Sequence, residues 1–362
     1  MSKSNKSSPR PRPSVERMAA YVPGEQPRPA ELGRLVKINT NESPYPPSPR
    51  VIAAVRRAAA RLRLYPDPGQ KRLRAVAGRA FGFPPERVLG GNGSDELLAL
   101  VGRAYVPEGG TILTMKPTYL VYRTVAEALG AKLIEVPFTT DWRLPADLCR
   151  RRAHVFYLAN PNSPTGTAVR PEEVRRFAKR FPGLVVVDEA YADFASFNCL
   201  ALARAMPNVL VMRTMSKSFS LAGLRLGLAM GPRPVIATLE KLKDSYNLGA
   251  LQLAAAEAAL TDLAHLRRNA AKIRRSRARL VRELARRGFR ALPSESNFVL
   301  FHLGPRLAGR LGGGPGAVRA LRAEGVLVRH YPGEGLADAL RVTVGTDAEI
   351  GRFLRALDAV RR

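Results

Sequence analysis

Residues 184–194 read LVVVDEAYADF. Four apolar residues, three of them valine, run without interruption into Asp188. Such a short continuous run reads as a strand buried on both faces, the pattern of parallel sheets covered by helices. A carboxylate at the C-terminal end of that strand falls at the rim where open α/β sheets form their binding crevices. The plain alternative for Asp188 is the N-cap of a following helix. Similar runs lie on either side: TILTM (111–115), KLIEV (132–136), AHVFYL (153–158), NVLVM (208–212) and LRLGLAM (224–230). Amphipathic stretches near 94–105, 118–129, 170–180 and 232–243 separate them, and Pro171 suits the first turn of one. The alternation predicts an α/β domain with a mostly parallel sheet flanked by helices.

Past residue 247 the pattern changes. Two long helical stretches (248–261 and 263–288) precede three short strands, SNFVLF (296–301), GVLVR (325–329) and LRVTV (340–344). Helices near 315–324 and 347–360 complete a smaller α+β unit, and GRLGGGPGAV (309–318) reads as a flexible turn region. The expected division is a disordered basic tail (1–16), a large domain (44–247), and a small domain built from 17–43 and 248–362.

Composition bounds the function. Apolar residues make up 46% of the 362-residue chain, and no apolar run approaches the roughly 18 residues a membrane span needs. The two cysteines, Cys149 and Cys199, lack CxxC spacing, and the four histidines are scattered, so neither a disulfide framework nor a metal site is expected. This cysteine usage fits a reducing cytoplasm. The formal charge is +29, with 48 arginines against 11 lysines. Such a balance could mark a nucleic-acid or membrane surface. The basic residues are instead spread along solvated helix faces, and no nucleic-acid-binding motif accompanies them.

Three further stretches carry chemistry. In NVLVMRTMSKSFSLAGLRLG (208–227) a strand ends in Ser216-Lys217-Ser218. A desolvated lysine there loses its proton more readily and becomes a nucleophilic amine able to form a Schiff base. A solvated loop lysine is the plain reading. VLGGNGSDELLAL (88–100) is a glycine-rich loop feeding a helix, whose free N–H groups favour a phosphate. It has neither the Gly-Lys-Ser/Thr of a P-loop nor a third dinucleotide glycine. NPNSPTG (160–166) is a rigid polar loop directly after a strand.

Taken in order, GNGSDE, PTY, NPNSPTG, DEAY, SKSFSLAGLR and LRVTVGT resemble the fold-type I aminotransferases. INTNESPYPPSP (38–49), YPDP (65–68), PTYLVY (117–122), PSESNFVLF (293–301) and GVLVRHY (325–331) narrow the resemblance to the histidinol-phosphate aminotransferase family. It runs from about Tyr21 to the C-terminus. The resemblance implies pyridoxal 5'-phosphate as cofactor, Lys217 as the lysine that carries it, and Asp188 as partner of its pyridine nitrogen. It implies that Tyr191 bonds the phenolic oxygen, that Tyr119 stacks on the ring, and that Ser94, Asp95, Ser216 and Arg225 hold the phosphate. Tyr65 would reach the phosphate of a neighbouring subunit, which implies a homodimer. Arg341 would take the substrate α-carboxylate and Arg329 a substrate phosphate, with Tyr21 closing over the site.

The implied reaction exchanges an amino group between histidinol phosphate and 2-oxoglutarate, in cytoplasmic histidine biosynthesis. Two departures stand out. Ser163 occupies the place of an asparagine that contacts the phenolic oxygen, so either Asn162 takes over or Ser163 makes a shorter contact. Ser43 replaces the asparagine of NENP. An aromatic amino-acid aminotransferase or a threonine-phosphate decarboxylase would share the same cofactor motifs. A basic nucleic-acid-binding protein would leave their order unexplained.

Overall fold

The computed structural model describes residues 9–20, 22–31, 33–333 and 335–362. A seven-stranded sheet forms its centre. The strands lie in the order Val88–Gly91, Gly227–Met230, Val209–Thr214, Leu184–Asp188, Val155–Ala159, Thr111–Lys116 and Lys132–Pro137. Gly227–Met230 is antiparallel to both its neighbours, and the other neighbouring pairs are parallel. The register sets Asp188 beside Ala159 on one side and Met212 on the other. Three strand ends thus meet at one rim.

Alternate residues feed opposite faces of the sheet. Val185, Val187 and Phe156 pack under helices Lys71–Phe81, Pro171–Ala178 and Ala250–Leu260. Val186, Leu210 and Tyr157 pack under helices Gly93–Tyr105, Val121–Leu129 and Arg233–Leu242. A second core lies around the four-stranded sheet Arg329–His330, Ala339–Thr343, Phe298–His302 and Arg290–Ala291. Helices Gly313–Ala323 and Asp347–Arg361 and most of Leu263–Arg286 cover it. Val36–Lys37 pairs in parallel with Val326–Leu327, tying the N-terminal segment to this second unit.

The structure departs from the sequence reading at four places. Ala250–Leu260, expected with the small unit, packs instead on the large core through Leu253, Ala256 and Leu260. Its near-uniform small apolar surface shows no single face from which a partner could be read. The expected tail reaches residue 16, but Pro13–Glu16 forms one helical turn near Val121–Leu129, started by Pro13 at its first position. Residues 1–8 lie outside the described residues. The glycine-rich 309–318 stretch is mostly helical, with Gly312 at φ 78° turning helix Pro305–Leu311 into Gly313–Ala323. Leu224–Leu226 is a turn rather than a strand start, because Arg225 sits at φ 50°.

Most basic residues of Leu263–Arg286 line its outer side, while Leu266, Ile273, Leu280 and Leu284 face inward and Arg277 turns in to donate to the Ser296 carbonyl at 2.7 Å. Among the described residues no helix is long and apolar enough to cross a membrane. Phe353 is fully buried and meets Phe301 edge-on at 6.2 Å in the second core. Phe353→Ala is expected to lower unfolding free energy by about 3–5 kcal/mol, read from the denaturant midpoint.

Candidate active site

The rim where the strands end opens into a cleft. Its floor comes from the large sheet: Ala159, Asp188, Thr214 and Lys217. Its roof comes from Pro23, Gly24, Asn39 and Asn41 of the N-terminal segment and from Arg329, Tyr331 and Arg341 of the second unit. Arg329 and Arg341 face each other across an antiparallel pair, which brings both guanidinium groups to one cleft.

At one end lies an anion cup. Asn92 leads into helix Gly93–Tyr105, and Gly93 takes φ 81°, a conformation that favours glycine. A Cβ on Gly227 would sit 2.6 Å from the Ser94 amide nitrogen, so only glycine lets the neighbouring strand approach the helix start so closely. Arg225 reaches in from the other side, donating to Asp95 at 3.2 Å and to the Ser216 hydroxyl at 3.3 Å. Gln252 holds that turn by donating to the carbonyls of Leu224 and Arg225, each at 2.9 Å. This explains why helix Ala250–Leu260 stays with the large core. Tyr119 donates to Asp95 at 3.1 Å and forms the adjoining aromatic wall.

Deeper in, Asp188 is buried, accepting the Tyr122 hydroxyl at 3.0 Å and the Ala190 amide at 3.2 Å. Burial pushes its carboxyl up to about 6. Such a group favours a cationic partner above it. Tyr191 accepts the Asn41 side-chain amide at 3.0 Å, and its ring lies 6.0 Å from the Lys217 amine. Burial also raises the Tyr191 hydroxyl. Lys217 donates to the Thr40 carbonyl at 3.3 Å, and burial, with the Arg341 charge second, depresses its amine to about 8. About a tenth of that amine is therefore unprotonated at pH 7, available as nucleophile or base.

Arg341 is buried, donating to the Asn39 carbonyl at 3.0 Å and to the Ser163 hydroxyl at 3.3 Å. Its Nε has no partner among the described residues, a buried donor left for an incoming acceptor. Arg329 donates to the carbonyls of Val22 and Pro23, each at 2.9 Å. The Tyr331 ring lies 4.9 Å from the Arg341 guanidinium and 5.3 Å from that of Arg329.

The cleft thus gathers Lys217, Asp188, Tyr191, Ser94, Asp95, Tyr119, Ser163, Ser216, Arg225, Arg329 and Arg341. Asn162 is turned away. Its amide is spent on the Pro117 carbonyl and Thr165, and its oxygen on Thr118, which ties its loop to the segment after strand Thr111–Lys116. Ser163, not Asn162, meets the cleft. Tyr65 stands outside it, 82% exposed and stacked on Tyr246 at 4.5 Å. Tyr21 lies outside the described residues. Ser43 caps its own turn, against Tyr45. Sequence reasoning missed Asn41, Tyr122 and Tyr331. Asn41 carried a usable signal, since asparagine tolerates its φ of 61°.

Residues 34–357 match the family model for aminotransferases of class I and II. A histidinol-phosphate aminotransferase 2 of Rhizobium meliloti is 43% identical over 357 residues, covering 96% of this chain and 98% of its own. A histidinol-phosphate aminotransferase 1 of Nostoc sp. is 40% identical over 348 residues, covering 96% of each. The crystal structure of histidinol-phosphate aminotransferase from Sinorhizobium meliloti in complex with pyridoxal 5'-phosphate superposes with a TM-score of 0.86, at 29% identity and over 98% of both chains.

The raised Asp188 carboxyl has a consequence for stability. Its folded value near 6 exceeds the unfolded value of about 3.9, so the native state holds the extra proton between them. That contribution is complete below about pH 4 and lost as pH rises through about 6. In ligand-free protein, Asp188→Asn is expected to raise stability at pH 8 by up to about 3 kcal/mol and to make little difference at pH 4. Thermal unfolding at the two pH values checks this, and a wild-type protein more stable than the variant at pH 8 refutes it.

Proposed function

The chain belongs to the aminotransferases of class I and II, and we propose that it exchanges an amino group between histidinol phosphate and 2-oxoglutarate, yielding imidazole-acetol phosphate and glutamate in histidine biosynthesis. The enzyme is a transaminase dependent on pyridoxal 5'-phosphate. The residues present suit that group. The cup of Ser94, Asp95, Ser216 and Arg225 suits its phosphate, with a glycine cradle that a Cβ would fill. Asp188, buried and with no ion pair among the described residues, suits a protonated pyridine nitrogen. Tyr191 and Ser163 suit the phenolic oxygen, and Tyr119 the ring face. Bound there, the cofactor supplies an electron sink for the pair left behind when the substrate α-carbon loses its proton.

The chain's own residues do the rest. The Lys217 amine, partly unprotonated, takes the proton from the α-carbon and returns it one position along, as base and then acid. Arg341 offers its Nε, unpartnered among the described residues, to the α-carboxylate of glutamate, a pairing that a guanidinium forms in two-pronged fashion. Arg329 sits farther along the cleft and takes the substrate phosphate. The observation that carries the substrate is this pair of guanidiniums set against one Tyr331 ring: Arg341 serves the α-carboxylate of glutamate, and Arg329 the phosphate of histidinol phosphate, which has no carboxylate.

The proposed assembly is a homodimer, with Tyr65 reaching the phosphate cup of the partner. Exposed Ile52, Leu62, Leu64, Tyr65 and Tyr246 support it, since such grouped apolar side chains suit contact with a second copy. The proposed location is the cytoplasm, which the free thiols of Cys149 and Cys199 support.

Lys217→Ala is expected to abolish steady-state turnover and the visible absorbance of the bound cofactor, and retention of both would overturn the assignment. Arg329→Ala is expected to raise KM for histidinol phosphate at least about tenfold while changing KM for glutamate little. Equal or faster turnover of phenylalanine or threonine phosphate by the wild-type enzyme would move the substrate elsewhere in the family. Sedimentation should give twice the 39.5 kDa of one chain.

A further inference from the structure

Glu189, Arg213 and Asp193 touch none of the reacting groups, yet they form a buried ionic cluster directly behind them. Arg213 Nε donates to Glu189 at 2.9 Å, and its Nη1 donates to Asp193 at 2.7 Å. The second oxygen of Glu189 accepts the Cys199 amide, and the second oxygen of Asp193 accepts the Ser218 hydroxyl. The Arg213 and Glu189 side chains are 6% and 0% exposed. The Arg213 guanidinium also lies 5.6 Å from the Phe81 ring.

The chain positions of these groups matter. Glu189 follows Asp188, Asp193 comes two residues after Tyr191, and Ser218 follows Lys217. One guanidinium therefore joins the backbones that carry all three residues at the reacting centre. A buried ion pair is a poor way to gain stability, because desolvation cancels most of the attraction. Apolar side chains of similar size would fill the space as well. What the planar fork of an arginine adds is fixed geometry between two carboxylates.

We propose that Arg213 is a positioning residue: by clamping Glu189 and Asp193, and through Asp193 the Ser218 hydroxyl, it sets the Lys217 amine against Asp188 and Tyr191. The proposal rests on the reading of Lys217 as the group that moves the proton. The charges that act on the Lys217 amine come from Arg341, Glu42, Tyr331 and Arg225, with the Tyr191 ring and the Thr40 carbonyl beside it. Arg213 is not among the main ones. Arg213→Met leaves the Glu189 and Asp193 charges uncompensated, which raises a nearby amine's midpoint by itself, whereas Asp193→Asn removes a negative charge; a rise in both variants therefore reports displacement of the amine.

The test uses Arg213→Met, Arg213→Lys and Asp193→Asn. In cofactor-free protein, the pH midpoint of Lys217 methylation by formaldehyde and cyanoborohydride is read by peptide mass spectrometry. In the loaded enzyme, kcat and KM are measured. Arg213→Met should move the midpoint up toward that of an ordinary lysine. It should also lower kcat at least about tenfold, with KM for glutamate within about threefold. Arg213→Lys keeps the charge but cannot span both carboxylates, and should rescue only part of kcat. A folded Arg213→Met protein with wild-type midpoint and kcat overturns the proposal. Should Arg213→Met fail to fold, Asp193→Asn, at the half-buried edge of the cluster, must show the same two changes, and its failure to do so overturns the proposal equally. A shifted midpoint alongside a wild-type protein without transaminase activity sustains the clamp and removes the aminotransfer reading instead.

Discussion

A carboxylate held out of water without a cation is the constraint on which this site depends. Asp188 ends a strand of pure valine and leucine, flanked by two more buried strands. Among the described residues a phenol and one amide share it. Burial alone would leave the group half neutral near pH 6. A ligand that brings a positive ring nitrogen relieves that penalty, so part of its binding free energy is set by the strand order before it arrives. The depressed Lys217 amine is the mirror case, a base whose proton is loosened by the same lack of water. Two groups with opposed needs are thus tuned by one environment.

The rest of the fold keeps those groups in place. The seven-stranded sheet brings three strand ends together, and helix Ala250–Leu260 crosses back to pin the Arg225 turn through Gln252. The N-terminal segment contributes Asn41 to Tyr191 and the Thr40 carbonyl to Lys217. Its short pairing with Val326–Leu327 fixes it to the unit that carries Arg329 and Arg341. Floor and roof therefore share a single strip of chain, residues 36–41.

Much of this was legible in the sequence, for identifiable reasons. Continuous apolar runs such as LVVVD announce strands buried on both faces, and the structure has all of those in the large sheet. Val88–Gly91 escaped notice because two of its four residues are glycine and leave no hydrophobic pattern. The helix Ala250–Leu260 was visible, but its allegiance was not, since alanines on every side give no direction. The site was legible where a polar residue closed a strand, as at Asp188, or interrupted an apolar stretch, as at Lys217. It was illegible where the role depends on side-chain direction. Asn162 and Ser163 are neighbours in one loop, and only the fold reveals that the first builds the loop while the second faces the cleft. Tyr122 reaches Asp188 from a helix whose sequence shows only an ordinary apolar face.

Arg329 and Arg341 both hold main-chain carbonyls: Val22 and Pro23 for the first, Asn39 for the second. A molecule that takes the nitrogens so engaged competes with peptide oxygens, whereas the Arg341 Nε is uncommitted among the described residues. A neutral hydroxyl or amide offers no better acceptor than the one displaced. A carboxylate or phosphate does, because charge-assisted hydrogen bonds are roughly twice as strong. The N-terminal arm thus works as an internal reference ligand, setting a threshold of acceptor strength below which visitors leave the roof undisturbed. Selectivity for anions is written into the cleft by what its arginines already hold.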